Sequence, residues 1–567
     1  MVAYNNPVSI LARAASQWPT AAAFRTPIVD HAIHPLRPRI VGYEDITYRK
    51  YFDDLEISAR YWLKTFSKDG IEPGSVIGVC VRGGSPIDFI HIYGLARAGY
   101  IPLPSSLLPQ SIDAVQTLLR NSGARGLIYE EGYFDSAQFL VRLGCIEPSE
   151  STQSLDQPSK IPDLRVFPAF ASTQDIRATE LAEIIPPLPE ALPDDIKYIF
   201  HSSGTTSGIP KQVPWTTRAI DTLTRKASLM MKPASSRTTQ DVVSWVGSAC
   251  HMTAFTVSIG ALAHGTCIIQ QTSLRASSEE YKSMFNLAGL TRSGILAPLL
   301  SQLFGEARAD PELSNMFKSL DSIAFGGAGL PSDDLEWARI NNIKVISAYG
   351  TTECGPLLVS GLGAVGTPEQ YYLRPVDISA EDGTPLLRYR FDSVVSEGDL
   401  KEMVVLSDSP DCPHKSLWGG QRDYYLGDLF EEVRPGEFLH RGRRDDWIKM
   451  ANGCKCDASS IEDEAVKLCS DLFTDCVVAG SLQQSPVLIV ETVVRDQAEE
   501  DKLRQEIYRR ISSSENYQKR FAHEQIASPE AVMIFPPNSL SRTAAKGNIS
   551  RKAVEKTLGD CITAKSA

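Results

Sequence analysis

YIFHSSGTTSGIPK, residues 198–211, is the stretch on which the reading of this chain turns. Tyr198, Ile199 and Phe200 read as the end of a buried strand. They run into Ser202, Ser203, Gly204, Thr205, Thr206, Ser207 and Gly208, and the stretch closes on Lys211. Small residues let backbone N–H groups approach phosphate oxygens, hydroxyls add donors and a lysine adds charge. The G-x-x-x-x-G-K-[ST] spacing of a P-loop is absent, so this is a different kind of phosphate cradle. Taken alone, the pattern suits a hydroxyl-rich surface loop equally well.

Downstream, five further stretches carry chemistry-bearing residues. AFGGAGLP (324–331) is a strand followed by Gly326, Gly327 and Ala328, where a flat ring could lie against backbone. SAYGTTECGP (347–356) is another strand. It delivers Ala348, Tyr349, Gly350, Thr351, Thr352 and Glu353 to a turn. Tyr349 has a face for a purine, and Glu353 is the oxygen ligand that Mg²⁺ takes beside nucleotide phosphates. A strand-to-loop turn with a surface glutamate reads the same way. YYLGDLFEEV (424–433) places Asp428 in an apparent tight turn, a common use of Asp between strands. HRGRRDDWIKMANGCKCD (440–457) gathers Gly442, Arg443, Asp445 and Lys449 where one domain gives way to another; a charged solvated linker would look similar. Finally, SLSRTAAKGNISRKAV (539–554) sets Lys546 before a glycine in a polar loop.

The surroundings indicate an α/β protein. SVIGVCV (75–81) reads as a buried strand, Gly83 to Pro86 turn the chain, and Ile87, Ile90, Gly94, Leu95 and Ala98 recur at helical spacing until Gly99. Residues 344–348 repeat the theme after a helix near 333–340. Such alternation implies helix-covered sheets. Two polar stretches, 147–163 and 395–416, read as surface segments. After about Arg443 a small α/β unit is expected. It has helices near 460–472 and 498–512, and strands near 476–480, 487–494 and 531–535.

The length of 567 residues accommodates more than one domain, and 43% hydrophobic against 22% charged residues is ordinary globular composition. A net charge of −12 argues against a nucleic-acid binder, which needs a basic footprint. Eleven cysteines show no metal or disulfide framework; Cys454 and Cys456 form the tightest pair. The start, MVAYNNPVSI, lacks a signal-peptide pattern. No run approaches the ~18 apolar residues of a membrane span, and the AKSA end is not a peroxisomal address. A cytoplasmic location is the default expectation.

In order and combination, these stretches resemble the adenylate-forming superfamily: acyl- and aryl-CoA synthetases, luciferases and the adenylation domains of nonribosomal peptide synthetases. The likeness runs from about Ile46 (ITYRKYFDD) to Lys556 and includes AGYIPLPSSL (98–107). FHSSGTT, GDLFEEV, DDWIKMANG and AKGNISRKA look most like fungal stand-alone or reductase-type adenylation enzymes. The resemblance implies a large N-terminal domain of helix-covered sheets with a sub-barrel (1–443) and a small mobile α+β C-terminal domain (444–567). It implies that the loop from Ser202 to Lys211 holds the triphosphate, and that Gly326, Gly327, Ala328 and Ala348 to Thr351 frame adenine. Thr352 would meet the α-phosphate, Glu353 the Mg²⁺, and Asp428 and Arg443 the ribose. Lys546 would bridge carboxylate and α-phosphate, and Asp445 would be the hinge that swings it away and brings a thiol-binding face near Gly453. ATP and Mg²⁺ are the implied cofactors. The implied product is an acyl-adenylate with release of pyrophosphate. The acyl group then passes to coenzyme A or a carrier-protein phosphopantetheine, in a setting of fungal secondary metabolism. No carrier motif follows Lys546, so the thiol is expected in trans.

The substrate side is less determined. His251, in SACHMTAFTVSIG (248–260), stands where the family places an aromatic residue or histidine beside the acid; a packed core histidine fits equally. That stretch contains no Asp or Glu. A buried ammonium without a counter-charge is costly, which points to an aryl or aliphatic acid lacking an α-amine. In two places the chain departs from the family pattern. Ser207 lengthens the phosphate loop by one residue, so the resemblance does not fix the contacts of Gly208 and Lys211. MANGCKCD is also one residue longer than the commonest form. Two alternatives remain at this stage, a non-catalytic nucleotide-binding homologue and an excised domain of a larger synthetase or reductase. A kinase would lack its loop and would yield ADP.

Overall fold

The computed structural model describes residues 4–30, 39–106, 112–132, 161, 163–182, 184–187, 191–202, 211–234, 237–361, 365–379, 383–394, 400–444, 447–452, 455–494, 496–542 and 549–565. Short apolar strands rich in β-branched residues alternate with amphipathic helices, and the strands collect into sheets. The largest has nine strands. From one edge to the other they are Arg374–Pro375, Gly355–Val359, Val345–Thr351, Ser322–Gly326, Arg292–Leu296, Val242–Ser244, Cys267–Ile269, Ala22–Asp30 and Arg39–Thr47. Its middle is parallel, as βαβ alternation requires, and both margins turn antiparallel.

A second, parallel sheet runs Ile101–Ser106, Val76–Val81, Gly126–Tyr129, Arg165–Pro168. The hairpin of Ile196–Ser202 and Lys211–Thr216 follows it in the chain. Between these sheets lies an aromatic core. Trp62 stacks on Phe66 and Phe170, and its Nε1–H donates to His91 Nδ1 at 3.3 Å. His91 Nε2 lies 3.1 Å from the Phe170 carbonyl, so the neutral ring uses both nitrogens. Four antiparallel strands, Tyr389–Ser393, Leu400–Val405, Tyr424–Arg434 and Glu437–Arg443, form a further sheet. Phe438 and Leu373 exchange backbone hydrogen bonds of 2.8 Å and so tie it to the margin of the nine-stranded sheet.

From Ile448 onward the chain builds a core of its own, drawn from residues 448–562. It packs the strands Asp475–Ala479, Val487–Glu491 and Val532–Phe535 against helices Ala458–Cys469, Gln497–Ser512 and Arg551–Lys565. All but the last helix, which the sequence reading does not foresee, fall within two or three residues of the expected C-terminal elements. The 395–416 segment does not read as surface once folded: Leu400–Val405 is an inner strand, with Met403, Val404 and Val405 fully buried. Most of 147–163 lies outside the described residues, and Ile161 within it is buried. Among the described residues no helix is long and apolar enough to cross a membrane.

Helices Thr217–Met230 and Met252–His264 cross at Gly260. A Cβ there would stand 2.3 Å from Met231 Cγ and 2.6 Å from the Ala227 carbonyl oxygen. Gly260→Ala therefore forces the helices apart, and urea or thermal unfolding is expected to show a loss of about 1–3 kcal/mol. The second prediction concerns His91. Burial lowers its pKa to about 4 in the folded chain, against about 6.5 unfolded. The unfolded state thus binds more protons between those values, and stability rises with pH across them. Each pH unit lost from about 6.5 to 4 is expected to remove up to about 1.4 kcal/mol that His91→Gln does not lose. Paired denaturation curves at pH 6.5 and 4.5 would check it.

Candidate functional site

The site begins where parallel strands end. Gly326 and Ala348 are register partners on Ser322–Gly326 and Val345–Thr351. They lie so close that a Cβ on Gly326 would be 2.9 Å from the Ala348 oxygen. Gly327 continues at φ +84°, and Gly327 and Ala328 are exposed. On the other side Gly355–Val359 returns antiparallel, pairing Thr351 with Gly355. A Cβ on Gly350 would come within 2.5 Å of the Gly355 oxygen, and Gly355 itself has φ +67°. The 352–354 reversal is closed by the Cys354 N–H donating to Thr351 Oγ1 at 3.2 Å. It displays Thr352 and Glu353. The half-buried Glu353 carboxylate makes no hydrogen bond or ion pair among the described residues, so its oxygens are available to a hard cation.

The reversal is held from below. Trp215, on the strand Lys211–Thr216, donates its Nε1–H to the Thr352 carbonyl at 3.1 Å. Lys226, on helix Thr217–Met230, donates to the carbonyls of Pro356 (2.8 Å) and Cys354 (3.4 Å) and pairs with Asp411. The hairpin that carries the Ser/Thr loop and the turn that carries Glu353 are therefore bonded together.

Asp428 lies beside this turn, though not as the sequence reading has it. It sits inside the strand Tyr424–Arg434, opposite Arg443, at a register shift that follows Gly427 (φ +75°), rather than in a turn between strands. The Gly427 N–H donates to buried Glu402 at 3.1 Å, and Arg444 donates to the other oxygen of Glu402 at 3.0 Å. His440 Nε2 lies 3.2 Å from Asp428 Oδ1. Tyr349 meets Phe430 edge-on at 5.1 Å and lies tilted on His440 at 5.3 Å. Burial, and then the nearby Asp428 carboxylate, raise the Tyr349 pKa well above 10. Burial also raises that of Tyr424, with Glu353 the largest charge acting on it. Glu353, Tyr349, Asp428 and Arg443 thus share one neighbourhood.

On the far side of the hairpin, Ser202 pairs in register with Lys211, which is exposed. His251 caps the helix Met252–His264 and is exposed, not packed in the core. Its ring lies 6.3 Å from that of His201, nearly perpendicular. Burial, and then His251, lower the His201 pKa to about 3, so that ring is uncharged at neutral pH. Ser203, Gly204, Thr205, Thr206, Gly208, Asp445, Gly453 and Lys546 lie outside the described residues. Sequence reasoning passed over His201 and His440, although both stand within the quoted stretches. It also passed over Trp215, Lys226, Glu402 and Asp411. Lys226 reads as the polar face of an amphipathic helix, and no local pattern distinguishes it.

Comparison with known proteins identifies the family. Residues 11–378 match the family described as AMP-binding enzyme, and residues 445–565 match the AMP-binding enzyme C-terminal domain. The AMP-binding domain-containing enzyme iboA of Amanita muscaria is 26% identical over 95% of this chain and 99% of its own length. The adenylate-forming reductase stbB of Stachybotrys bisbyi is 23% identical over 83% of this chain, which spans 41% of that protein. The o-succinylbenzoate CoA synthetase MenE of Bacillus subtilis, solved with its acyl-adenylate intermediate OSB-AMP, shares the fold. Its TM-score is 0.67 at 14% identity, over 97% of this chain and 98% of that one. The chain belongs to the AMP-binding enzyme family, and through it to the adenylate-forming superfamily.

Proposed function

We propose that this protein joins a carboxylic acid to the AMP portion of ATP, releases pyrophosphate, and then passes the acyl group to a thiol. One observation carries the reading. The Thr352–Glu353 reversal is bonded through Trp215 to the hairpin of the Ser/Thr loop, and it stands in the same neighbourhood as Asp428 and Arg443. On this reading, the groups that would meet phosphate, Mg²⁺ and ribose stand close together at the carboxyl end of strand Val345–Thr351.

On this reading the adenine ring lies against Gly326, Gly327, Ala328 and the Ala348–Gly350 backbone, with Tyr349 at its side. Asp428 accepts from the ribose hydroxyls and Arg443 donates to them. Thr352 donates to an α-phosphate oxygen, and the residues from Ser202 to Lys211 hold the β- and γ-phosphates. Mg²⁺, for which Glu353 offers an oxygen ligand, would supply neutralising charge to the departing pyrophosphate. A carboxylate oxygen forms a bond to the α-phosphorus while the bond to the bridging oxygen breaks, and the electron pair leaves with pyrophosphate. Both reactants are anionic and attack concentrates further negative charge. A fixed ammonium from Lys546 would stabilise that state.

The proposed division is a core of residues 1–443 and a C-terminal domain of residues 444–567 hinged at Asp445, the second bringing Lys546 to the first. The proposed acid lacks an α-amine, being aryl or aliphatic, with His251 beside it. The proposed acceptor is coenzyme A or a carrier phosphopantetheine. Relatives in Amanita muscaria and Stachybotrys bisbyi support a place in fungal secondary metabolism.

A pyrophosphate-exchange screen over aryl, fatty and amino acids tests the reading. Exchange is expected with an acid of the first two kinds, with AMP rather than ADP formed. Lys546→Ala is expected to lower that exchange by ~10²–10³ and to leave transfer from a supplied acyl-adenylate to thiol intact. Nucleotide binding without exchange on any acid would overturn the proposal. Equal loss of both half-reactions in the variant would overturn the role of Lys546.

A further inference from the structure

Beneath the 352–354 reversal lies an ion pair sealed from solvent. The side chain of Lys226 is 0% exposed and that of Asp411 1% exposed, although the two stand 185 positions apart. Burying two charges is expensive, and replacing such a pair with apolar residues of similar volume is often neutral or stabilising. Stability alone therefore does not account for it. What the pair has and an apolar filling lacks is direction. An ammonium has three donors. Here one goes to Asp411, one to the Cys354 carbonyl and one to the Pro356 carbonyl. Those carbonyls bracket Gly355, the left-handed residue on which the reversal depends. Asp411 is equally committed: the Ser409 hydroxyl donates to one oxygen, and the Tyr389 hydroxyl joins Lys226 on the other.

The three elements joined at this point are the ones that carry the site. Lys226 belongs to the helix that continues from Lys211 and Trp215. The carbonyls belong to the turn of Thr352 and Glu353. Tyr389 opens the sheet on which Asp428 and Arg443 sit. We infer that Lys226 and Asp411 are positioning residues that set where Thr352 and Glu353 present their oxygens to Mg·ATP, relative to the ribose-facing Asp428. This rests on the reading that Thr352 and Glu353 face the nucleotide. Neither member of the pair touches substrate; both act through the backbone of the turn.

The test is the double variant Lys226→Met/Asp411→Leu, which replaces the pair with apolar side chains of similar size. Calorimetric titration of Mg²⁺ and ATP, with no acid present, gives the readout. The double variant is expected to fold, to need ~10–100 times more Mg²⁺ for half-maximal ATP binding, as is usual when a group orienting a metal ligand is lost, and to bind adenosine as wild type does. Tyr389→Phe keeps the pair and removes one donor to Asp411, so it remains informative if the double variant does not fold. It is expected to shift the Mg²⁺ dependence the same way, by about two- to tenfold. Variants that lose melting temperature but keep the wild-type Mg²⁺ dependence would overturn the inference and leave the proposed function standing. A wild-type protein that binds no Mg·ATP would overturn both.

Discussion

The site depends on one close backbone reversal. Val345–Thr351 has a parallel neighbour on one side and an antiparallel one on the other, and the chain must turn within residues 352–354 to make the second. Only glycine fits at position 350, where the facing backbone is 2.5 Å from a would-be Cβ, and Gly355 takes up the left-handed step. Once the reversal is made, Thr352 and Glu353 have nowhere to go but outward at the carboxyl end of the sheet. In open α/β sheets ligands bind at that end, where strand order changes. The glycines at 326 and 327 extend the same logic to the neighbouring strand, leaving bare backbone where a flat ring can approach.

A turn this tight leaves carbonyls pointing into the protein, and each must find a donor. Trp215 and Lys226 supply them from the hairpin and helix that follow the Ser/Thr loop. The spacing of the Lys211–Thr216 hairpin strand from the turn of Glu353 is therefore set by hydrogen bonds, not by apolar contact alone. Gly260 adds a steric limit from behind by bringing helix Met252–His264 against the helix of Lys226. Both helices begin at residues of the site, Thr216 after Lys211 and Trp215 at one, His251 at the other. A change in their separation would move Trp215 relative to His251.

What could be read from the sequence was local. A strand ending in small residues, hydroxyls and one charge is a compact signal, and Gly326, Gly327, Thr352 and Glu353 do stand at the ends of strands Ser322–Gly326 and Val345–Thr351. The elements of the C-terminal domain were legible for the same reason, since apolar periodicity of two or 3.6 survives in short windows. Two readings failed. The 395–416 segment reads as surface, yet Glu402 within it is buried, with Gly427 and Arg444 on its oxygens. Gly427 and Asp428 looked like a turn, yet the glycine bends a continuous strand. The Lys226–Asp411 pair was beyond reach: its members are 185 positions apart, and neither stands in a recognisable pattern.

On the proposed reading the acid lies at the corner of His251 and His201, and the polarity of that corner bears on it. Helix Met252–His264 starts at His251 with no side-chain cap and no acidic residue in its first turn, so no residue of the helix itself offsets the positive end of its dipole, although Asp88 and Glu130 act on the neighbouring Cys250. His201, beside it, stays neutral because burial denies it a proton. An anion approaching this corner gains from the helix end, whereas an ammonium meets that same partial positive charge and no carboxylate on the helix. The chain as a whole carries a net charge of −12, so long-range attraction would not draw an anion here. Any preference of the proposed site for a carboxylate would have to arise within a few ångströms, from the helix terminus beside the neutral His201 ring.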